Sequence, residues 1–259
     1  MELSLTTDLK GQVAVVTGAS QGLGKAVAIA LGMNGATVVC LARNAQKLAD
    51  TVAEIESSGG SAEAVACDVT DRNAAKAAIE GAKEKHGRLD ILVNNAGIFR
   101  GGDPEAFESS DWEAVLDINL SQVVYASQLA FEDLASSSNR GGQGKVINIG
   151  SMYSLFGSPS SIAYAASKGG VVQLTKSLAT AWAQHGINVN AILPGWIETD
   201  MTAPINDQPD MMQQIVSRTP FGRMGRIDEM AGAAVFLASP ASDFVTGVSL
   251  PVDGGYSVA

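Results

Sequence analysis

The stretch Thr17-Gly18-Ala19-Ser20-Gln21-Gly22-Leu23-Gly24 follows a short apolar run and opens directly into Ala-rich sequence of helical character. The apolar run, residues 12–17, predicts a buried strand. Glycines in such a turn let a diphosphate approach the backbone closely, and the N-terminus of the next helix offers unpaired N–H groups and a favourable dipole. A glycine triplet alone is weak evidence, but the strand–turn–helix context predicts a dinucleotide-binding turn.

The same alternation of β-branched runs and longer Ala-rich stretches continues to the end of the chain. Strands are predicted at 12–17, 37–42, 62–67, 89–94, 145–149, 187–193 and 249–252, and helices at 22–34, 45–57, 72–86, 110–136, 161–185 and 228–238. The strand candidates are continuous apolar runs, which is typical of strands buried on both faces of a parallel sheet. The sequence therefore predicts the α/β class, a Rossmann-type doubly wound sheet of about seven parallel strands flanked by helices on both faces.

No Pro/Gly/Ser-rich linker or repeat divides this pattern, so we expect residues 1–259 to form one dinucleotide-binding and catalytic domain. Residues 136–144, rich in Ser and Gly, are predicted to form a mobile surface loop. The stretch of about 195–225, rich in Pro and Met, follows a strand at the edge where open α/β sheets place their ligands. We expect it to be a substrate lid, the alternative being a plain excursion of the chain.

Composition excludes several classes of protein. The chain has 259 residues and carries 17 Lys and Arg against 27 Asp and Glu, a net charge of −10, which repels phosphate backbones and argues against nucleic acid as a partner. Hydrophobic residues make up 46%, a globular composition. We find no apolar run of membrane-spanning length, and Met1-Glu2-Leu3 begins without a charged n-region or long apolar h-region. A cytoplasmic protein without membrane partners is expected.

The cysteines and histidines are expected to be structural. Cys40 and Cys67 lie in apolar runs and are predicted to be buried free thiols, not a disulfide. His86 and His185 each precede a glycine, a pattern typical of a helix end with a left-handed cap. No metal site is predicted.

Candidate catalytic residues lie in the second half of the chain. Tyr164 and Lys168 are four residues apart on a predicted helix, so they share one face, and Ser151 follows the predicted strand 145–149. An ordinary tyrosine, with a pKa of about 10, is a poor acid or base at neutral pH. A lysine ammonium about 4 Å away contributes roughly 4 kcal/mol at an effective dielectric near 20. We therefore expect Lys168 to lower the pKa of Tyr164 towards neutrality.

Taken together, these motifs resemble the short-chain dehydrogenase/reductase family over about residues 10–256. The resemblance rests on the Gly-x-x-x-Gly-x-Gly turn after Thr17, Asp68-Val69, Asn94-Asn95-Ala96-Gly97, Asn119, Ser151, Tyr164, Lys168, Pro194-Gly195, Thr199 and Val252-Asp253-Gly254-Gly255. Each residue taken singly has an ordinary structural explanation, and only their order and combination point to this family. An epimerase or a dehydratase of this fold would be expected to have a longer chain with a separate substrate domain.

The resemblance implies a role for each catalytic residue. Tyr164 is the expected general acid/base, and Lys168 its electrostatic tuner and a ligand of the nicotinamide ribose. Ser151 is expected to hydrogen-bond the substrate oxygen, and Asn119 to hold a water of a proton relay. The expected cofactor-binding residues are Gly18, Ser20, Gln21, Gly22, Leu23, Gly24, Arg43, Asp68, Val69, Asn95, Ala96, Gly97, Tyr164, Lys168, Pro194, Gly195, Ile197 and Thr199.

The end of the second predicted strand bears on the choice of dinucleotide. An NAD enzyme usually places Asp or Glu there to accept from the ribose 2′-OH, but this chain has Ala42 followed by Arg43. A guanidinium can pair with a 2′-phosphate, so NADP(H) is favoured over NAD(H). Gln21 argues the other way, because many NADP-using relatives carry a basic residue at that position. Arg43 could also be a solvated charge at a helix start.

The substrate is expected to be a small carbonyl or alcohol compound, with two classes open. Ser151-Met152-Tyr153-Ser154, residues 182–192 and Gly222-Arg223-Met224-Gly225 resemble dehydrogenases of gluconate or deoxygluconate, many of which use NAD. The overall layout also resembles 3-oxoacyl thioester reductases, whose acidic carrier partner suits a basic docking face that this acidic chain lacks. Candidate substrate residues are Ser151, Tyr153, Phe156, Tyr164, Trp196 and Met201.

Two further expectations concern class and assembly. A non-catalytic cofactor-binding regulator on the same fold would be expected to lack part of the catalytic set, and all four residues are present here. The predicted helix 161–185 carries apolar residues around much of its circumference, including Val171, Leu174 and Leu178. The resemblance implies that a partner subunit covers it in a homotetramer or homodimer, the alternative being a deeply buried helix in a monomer.

Overall fold

Seven parallel strands form the centre of the protein, which the computed structural model describes over residues 6–259. The expectation that Met1-Glu2-Leu3 does not begin a signal sequence concerns residues outside the described range. The strands are β1 Val13–Thr17, β2 Thr37–Ala42, β3 Ser61–Ala66, β4 Ile91–Asn94, β5 Gly144–Ile149, β6 Ile187–Pro194 and β7 Ser249–Val252. Their order in the sheet is β3-β2-β1-β4-β5-β6-β7, with every pair parallel. The chain crosses from one half of the sheet to the other between β3 and β4, so the carboxyl ends of β1 and β4 flank a crevice. The predicted fold class is confirmed.

Helices cover both faces of this sheet. They are α1 Gly22–Met33, α2 Ala45–Ser57, α3 Arg72–His86, α4 Ser109–Leu116, α5 Gln122–Ser136, α6 Ile162–Trp182, α7 Pro209–Arg218 and α8 Asp228–Ala238. Alternate residues of β1 divide between two hydrophobic cores, Ala14 and Val16 packing with α1, α2 and α8, and Val13 and Val15 with α3, α5 and α6. Because successive strand side chains point to opposite faces, two apolar faces require an unbroken apolar run.

Burial falls away at the two edges of the sheet. The side chains of β3 are all exposed or half-buried, and β7 is half-buried with Pro251 exposed. The prediction that all strands are buried on both faces is therefore wrong for these two, since an edge strand has a neighbour on one side only.

The predicted helix 110–136 is interrupted. A π-helical segment, Asp117–Ser121, separates α4 from α5, and it contains Asn119. Such segments insert an extra residue into a helix and redirect its side chains, often at functional sites. Similarly, the predicted helix 161–185 ends as an α-helix at Trp182 and continues as one 3₁₀ turn to Gly186, whose φ is 70°. Gly87 caps α3 in the same left-handed way, with φ 73°, as predicted for both His-Gly pairs.

The loop between α5 and β5 lies on the surface, as predicted, with residues 138–142 exposed, and it is hydrogen-bonded to the core through Ser137 and Arg140. Asp90 is 2% exposed and accepts hydrogen bonds from Ser137 Oγ at 2.7 Å and from Arg140 at 3.2 Å. Arg88 Nε and the backbone N–H of Val13 also donate to Asp90, at 2.6 and 3.0 Å. The carboxylate thus connects this loop to the amino ends of β1 and β4.

The segment after β6 folds against itself over the carboxyl edge of the sheet. It contains a 3₁₀ turn, Ala203–Asp207, and α7, a helix that the sequence analysis did not predict. Ile205, Ile215 and Met224 form its small core, with Trp196 and two methionines packed on it. A backbone bridge between Ile197 and Gly225 closes the segment on itself. Within residues 6–259, none of the helices is long and apolar enough to cross a membrane.

Both cysteines are buried free thiols, as predicted, Cys40 within β2 and Cys67 just after β3.

Candidate active site

A cleft of about 680 Å³ runs along the carboxyl edge of the sheet. Most of the predicted site residues line it: Gly18, Ser20, Gln21, Gly22, Leu23, Arg43, Asp68, Val69, Asn95, Ala96, Gly97, Ser151, Tyr153, Tyr164, Lys168, Pro194, Gly195, Trp196, Ile197, Thr199 and Met201. Three predicted residues, Gly24, Asn119 and Phe156, are not among its lining residues. One continuous cleft therefore joins the glycine-rich turn to the predicted catalytic residues.

The glycine-rich turn is fixed by the neighbouring strand end. Thr17 Oγ1 accepts hydrogen bonds from the backbone N–H groups of Asn95 and Ala96 at 2.9 and 3.0 Å, and Asn95 Nδ2 donates to the Thr17 carbonyl at 2.9 Å. Gly18 has φ 67°, and a Cβ there would lie 2.7 Å from Asn95 Nδ2. A Cβ on Gly24 would clash with the same side chain and with the Gly18 carbonyl, so a glycine is required at this position beneath the turn.

The open side of the turn faces the cleft. Gly22 has φ 57°, and nothing lies within 4 Å of the position that its Cβ would take. Helix α1 begins at this residue and has no side-chain cap, so the N–H groups of its first turn remain available for a ligand. These features fit a dinucleotide whose diphosphate lies against the turn.

The catalytic candidates lie at the other end of the cleft, on the loop after β5 and on α6. Ser151 Oγ accepts from the Tyr153 backbone N–H at 3.1 Å, and the Ser151 side chain is near enough to Tyr164 to lower the pKa of that phenol. Lys168 is 5% exposed, and its Nζ donates to the Ile149 carbonyl at 2.7 Å. The same Nζ is 5.7 Å from the centroid of the Tyr164 ring. The residues predicted to act together thus lie within one helical turn and one strand end.

Burial decides the protonation of this pair. It raises the pKa of Tyr164 to about 12, and the Ser151 side chain opposes that rise without cancelling it. Burial also lowers the pKa of Lys168 to about 8. The prediction that Lys168 lowers the pKa of Tyr164 towards neutrality is therefore wrong, because desolvation of the phenolate outweighs the attraction of a cation that is itself desolvated.

Asn119 lies behind the cleft, not in it. It is fully buried; its Oδ1 accepts from the Ile98 N–H at 2.8 Å, and its Nδ2 donates to the Ile98 carbonyl at 2.9 Å and to Ser167 Oγ at 3.2 Å. A Cβ on Gly97 would lie 3.1 Å from Asn119 Oδ1 and 3.7 Å from Lys168 Nζ. The π-helical segment therefore brings Asn119 close to Lys168, while its role with a water stays a prediction.

The end of the cleft formed by Arg43, Asp68 and the glycine-rich turn carries exposed charges. We call it the adenosine end, after the half of the cofactor that the family resemblance implies there. Arg43 follows β2 and is exposed, and Asp68 lies opposite on the loop after β3. The N–H and hydroxyl of Thr70 donate to Asp68 Oδ1 at 3.0 and 2.7 Å and lower the pKa of this carboxyl, and the charge of Arg43 contributes less. A carboxylate therefore lies near Arg43, and it is already engaged by its own loop.

Aromatic rings pack against the ring of Tyr164. Phe99 and Tyr153 each meet the Tyr164 ring edge to face, at centroid distances of 5.5 and 6.3 Å, and Trp196 meets Tyr153 at 6.2 Å. Trp196 lines the cleft, and its Nε1 is buried without a hydrogen-bond partner among residues 6–259. Such walls with few polar groups are typical of small-molecule sites.

Phe156 was wrongly predicted to line the substrate pocket. Its ring packs against Tyr256 at 6.5 Å, and the Arg218 guanidinium lies over both rings, at 4.9 and 4.4 Å. Several other lining residues were not predicted, among them Phe99 and Lys47. Phe99 lies two residues after the Asn-Asn-Ala-Gly motif, and that position was the available signal. Lys47 had none, because its approach depends on how α2 packs.

Comparisons with known proteins agree with this geometry. A family model described as Enoyl-(Acyl carrier protein) reductase matches residues 18–257. Gluconate 5-dehydrogenase of Gluconobacter oxydans is 39% identical over 251 residues, covering 97% of this chain and 96% of the relative. The 3-oxoacyl-[acyl-carrier-protein] reductase of Thermotoga maritima is 37% identical, covering 95% and 98%.

Solved structures give the same result. A gluconate 5-dehydrogenase from Burkholderia cenocepacia, crystallised with NADP and tartrate, is 40% identical to this chain and superposes with a TM-score of 0.91 over 98% of both chains. Family match, full-length identity and fold coincide, and the chain therefore belongs to the short-chain dehydrogenase/reductase family, as one of its oxidoreductases.

Proposed function

We propose that this protein is an NADP(H)-dependent oxidoreductase that interconverts a ketone and a secondary alcohol of a small sugar acid, with Tyr164 as the general acid/base. The observation that carries the proposal is that Ser151, Tyr164 and Lys168 line the same cleft as the glycine-rich turn, with Lys168 Nζ 5.7 Å from the Tyr164 ring centroid. When bound, the nicotinamide supplies or accepts the hydride.

Tyr164 and Ser151 act on the substrate oxygen. In reduction, a hydride adds to the carbonyl carbon, the C=O π electrons move to oxygen, and Tyr164 Oη transfers its proton to that oxygen. Ser151 donates a hydrogen bond to the negative charge that develops there. A phenol kept neutral by burial is prepared for this direction, since it holds its proton until the oxygen becomes basic. Oxidation runs the same steps in reverse and needs the phenolate.

Lys168 supports the tyrosine from the same face of α6. Its ammonium lies 5.7 Å from the Tyr164 ring centroid, where it favours the phenolate that each reduction leaves behind. With a pKa lowered to about 8, it can also gain and lose a proton close to neutral pH. Asn119, held by the Ile98 backbone beside Lys168, would orient a water that delivers that proton.

The preference for NADP(H) is supported by the adenosine end of the cleft. Ala42 provides no carboxylate for a ribose 2′-OH, and Arg43 provides a cation for a 2′-phosphate. Many gluconate-type relatives are expected to use NAD, but the Burkholderia gluconate 5-dehydrogenase was crystallised with NADP. Both properties can therefore belong to one protein.

A sugar acid is favoured over an acyl thioester. The donor left unpaired at Trp196 Nε1 suits a substrate hydroxyl, which an acyl chain lacks. The net charge of −10 also opposes docking of an acidic carrier protein. The Thermotoga 3-oxoacyl reductase remains comparably similar, so reduction of a 3-oxoacyl thioester is the competing outcome of a substrate assay.

Cofactor choice is tested by fluorescence titration of wild type and Arg43→Ala with NADPH and NADH. The expected result is a preference for NADPH of about tenfold or more, roughly 1.4 kcal/mol, that is lost in the variant. Tighter NADH binding, unchanged by the substitution, would refute the NADP(H) proposal. Substrate class is tested by comparing NADP⁺-dependent oxidation of D-gluconate with NADPH-dependent reduction of an acetoacetyl thioester.

The remaining parts of the proposal concern organisation. Residues 1–259 act as one catalytic domain, with about 195–225 as its substrate lid, and the chain assembles as a cytoplasmic homotetramer or homodimer. Support for assembly comes from large apolar side chains left exposed at Met33, Phe236 and Phe244. The side of α6 that bears Gln173, Lys176 and Thr180 is polar and exposed, so α6 is less apolar than predicted. Light scattering after gel filtration distinguishes the assemblies.

A further inference from the structure

A lysine outside the family motifs lies at the adenosine end of the cleft. Lys47, in the first turn of α2, lines the cleft together with Arg43 and Gln21. Its Nζ donates a hydrogen bond to Gln21 Oε1 at 2.6 Å, which connects α2 to the residue that precedes α1. Gln21 is the position whose lack of a basic side chain argued against NADP(H). The structure provides a cation there from a different part of the chain.

The contact also fixes the orientation of Gln21. A lysine ammonium can only donate, so the atom that faces Lys47 must be the carbonyl oxygen of the amide. The Nε2 group, with its two N–H donors, is then left at the other side of the side chain. No hydrogen bond from it to another residue of 6–259 is present. The carbonyl oxygen of Gln21 is therefore occupied by the ammonium, and its two N–H donors remain unused beside it.

Neither cation at this end forms an ion pair with an acid, and the Asp68 carboxylate, which interacts with the charge of Arg43, is bonded mainly to Thr70 of its own loop. The ion pairs within residues 6–259 involve neither Arg43 nor Lys47. The first turn of α2 contains no acidic residue, and the Asn44 side chain caps it by accepting from the Lys47 N–H at 3.0 Å. Two unpaired cations and the positive end of a 13-residue helix therefore lie together. In a chain of net charge −10, such a group is suited to a doubly charged anion.

We propose that Lys47, held by Gln21, is a specificity-determining residue that binds the 2′-phosphate of NADP(H) jointly with Arg43. This inference rests on the proposed use of NADP(H) and adds the residues that achieve it. Lys47 provides the charge that family members with a basic residue in the glycine-rich turn place there. The Nε2 group of Gln21 provides further donors to the same phosphate. A ribose without this phosphate gives the ammonium no anion to pair with.

The test measures Kd for NADPH and NADH by fluorescence titration of wild type, Lys47→Met, Lys47→Arg and a matched control, Lys76→Met. Lys76 lies on α3, is exposed and does not line the cleft, so its replacement removes the same charge elsewhere. We expect Lys47→Met to weaken NADPH binding about tenfold and to change NADH binding less than twofold. Lys47→Arg should retain most of the preference, and Lys76→Met should behave as wild type.

Two different failures can be told apart. If wild type prefers NADPH and the Kd of Lys47→Met for NADPH is within twofold of wild type, the role of Lys47 is overturned and the proposed function stays intact. A wild type that prefers NADH would overturn the proposed cofactor and this inference with it. If Lys47→Met does not fold, competition of 2′-AMP and 5′-AMP against NADPH on wild type and Lys47→Arg replaces it. Equal competition by the two nucleotides would then contradict a 2′-phosphate site.

Discussion

The two ends of the cleft are built in opposite ways. At the catalytic end, Lys168 is buried and bonded to a strand carbonyl, and Tyr164 is surrounded by aromatic rings. At the adenosine end, Arg43 and Lys47 are exposed, and neither forms an ion pair within residues 6–259. The catalytic groups are thus fixed by the packing of the core, whereas the cofactor-selecting groups are surface charges. Substitutions should therefore change turnover at one end and cofactor choice at the other.

The largest expected effect is at Tyr164. Replacement by Phe removes the proton donor while keeping the ring that packs on Phe99, so kcat should fall about 10²- to 10⁴-fold. Kd for NADPH should stay within about twofold of wild type. Steady-state kinetics and fluorescence titration of the same preparation measure both. A loss of cofactor affinity as large as the loss of kcat would show that the two ends are not separate.

The pH dependence should differ between the two reaction directions. Oxidation needs the Tyr164 phenolate, and with a pKa raised to about 12 the deprotonated fraction grows about tenfold per pH unit below that value. The kcat/KM for alcohol oxidation should therefore rise between pH 7 and 9, by up to about 100-fold, while that for ketone reduction should not rise and should fall as Lys168, with its pKa lowered to about 8, loses its proton. Profiles of both directions in a constant-ionic-strength buffer test this. An oxidation profile that reaches a plateau near pH 7 would mean that Tyr164 titrates near neutrality.

A carboxylate placed at the adenosine end should change cofactor choice alone. Ala42→Asp introduces an acceptor for the ribose 2′-OH and a repulsive charge beside the 2′-phosphate. The NADPH/NADH preference should fall by about tenfold or more, and kcat at saturating cofactor should stay within about threefold of wild type. Kinetics with each cofactor provide the measurement. An unchanged preference would place the 2′-phosphate elsewhere.

The smallest effect expected is that of salt. Because the cations of the adenosine end are exposed, raising ionic strength from about 0.05 to 0.5 M should screen them and weaken NADPH binding several-fold. NADH binding and kcat should change by less than a factor of two. Titrations at several NaCl concentrations give the slopes. Equal slopes for the two cofactors would argue against an exposed phosphate site.

What the sequence could predict follows the same division. The strands, the glycine-rich turn and the positions of Ser151, Tyr164 and Lys168 follow from local patterns, because strand burial and helix spacing fix them. The pKa of Tyr164 does not follow from local patterns. The attraction between Tyr164 and Lys168 can be calculated from their spacing, but the desolvation of the phenol depends on the packing around it, including the rings of Phe99 and Tyr153.

Features that depend on packing between distant elements were beyond prediction. The π-helical segment at Asn119 has no distinctive composition, and it becomes recognisable only through its hydrogen bonds to Ile98. Lys47 is one charge on an exposed helix until its contact with Gln21 is known. α7 was missed because the prolines around it suggested irregular structure.

The separation of chemistry from cofactor choice is tested most directly by crossing Tyr164→Phe with Ala42→Asp. The measurement is kcat/KM for D-gluconate oxidation with NADP⁺ and with NAD⁺ in wild type, both single variants and the double variant. We predict that Tyr164→Phe lowers kcat/KM by the same factor with either cofactor and that the two substitutions add within about 0.5 kcal/mol. A cofactor preference that changes in Tyr164→Phe, or a coupling above about 1 kcal/mol, would contradict the account.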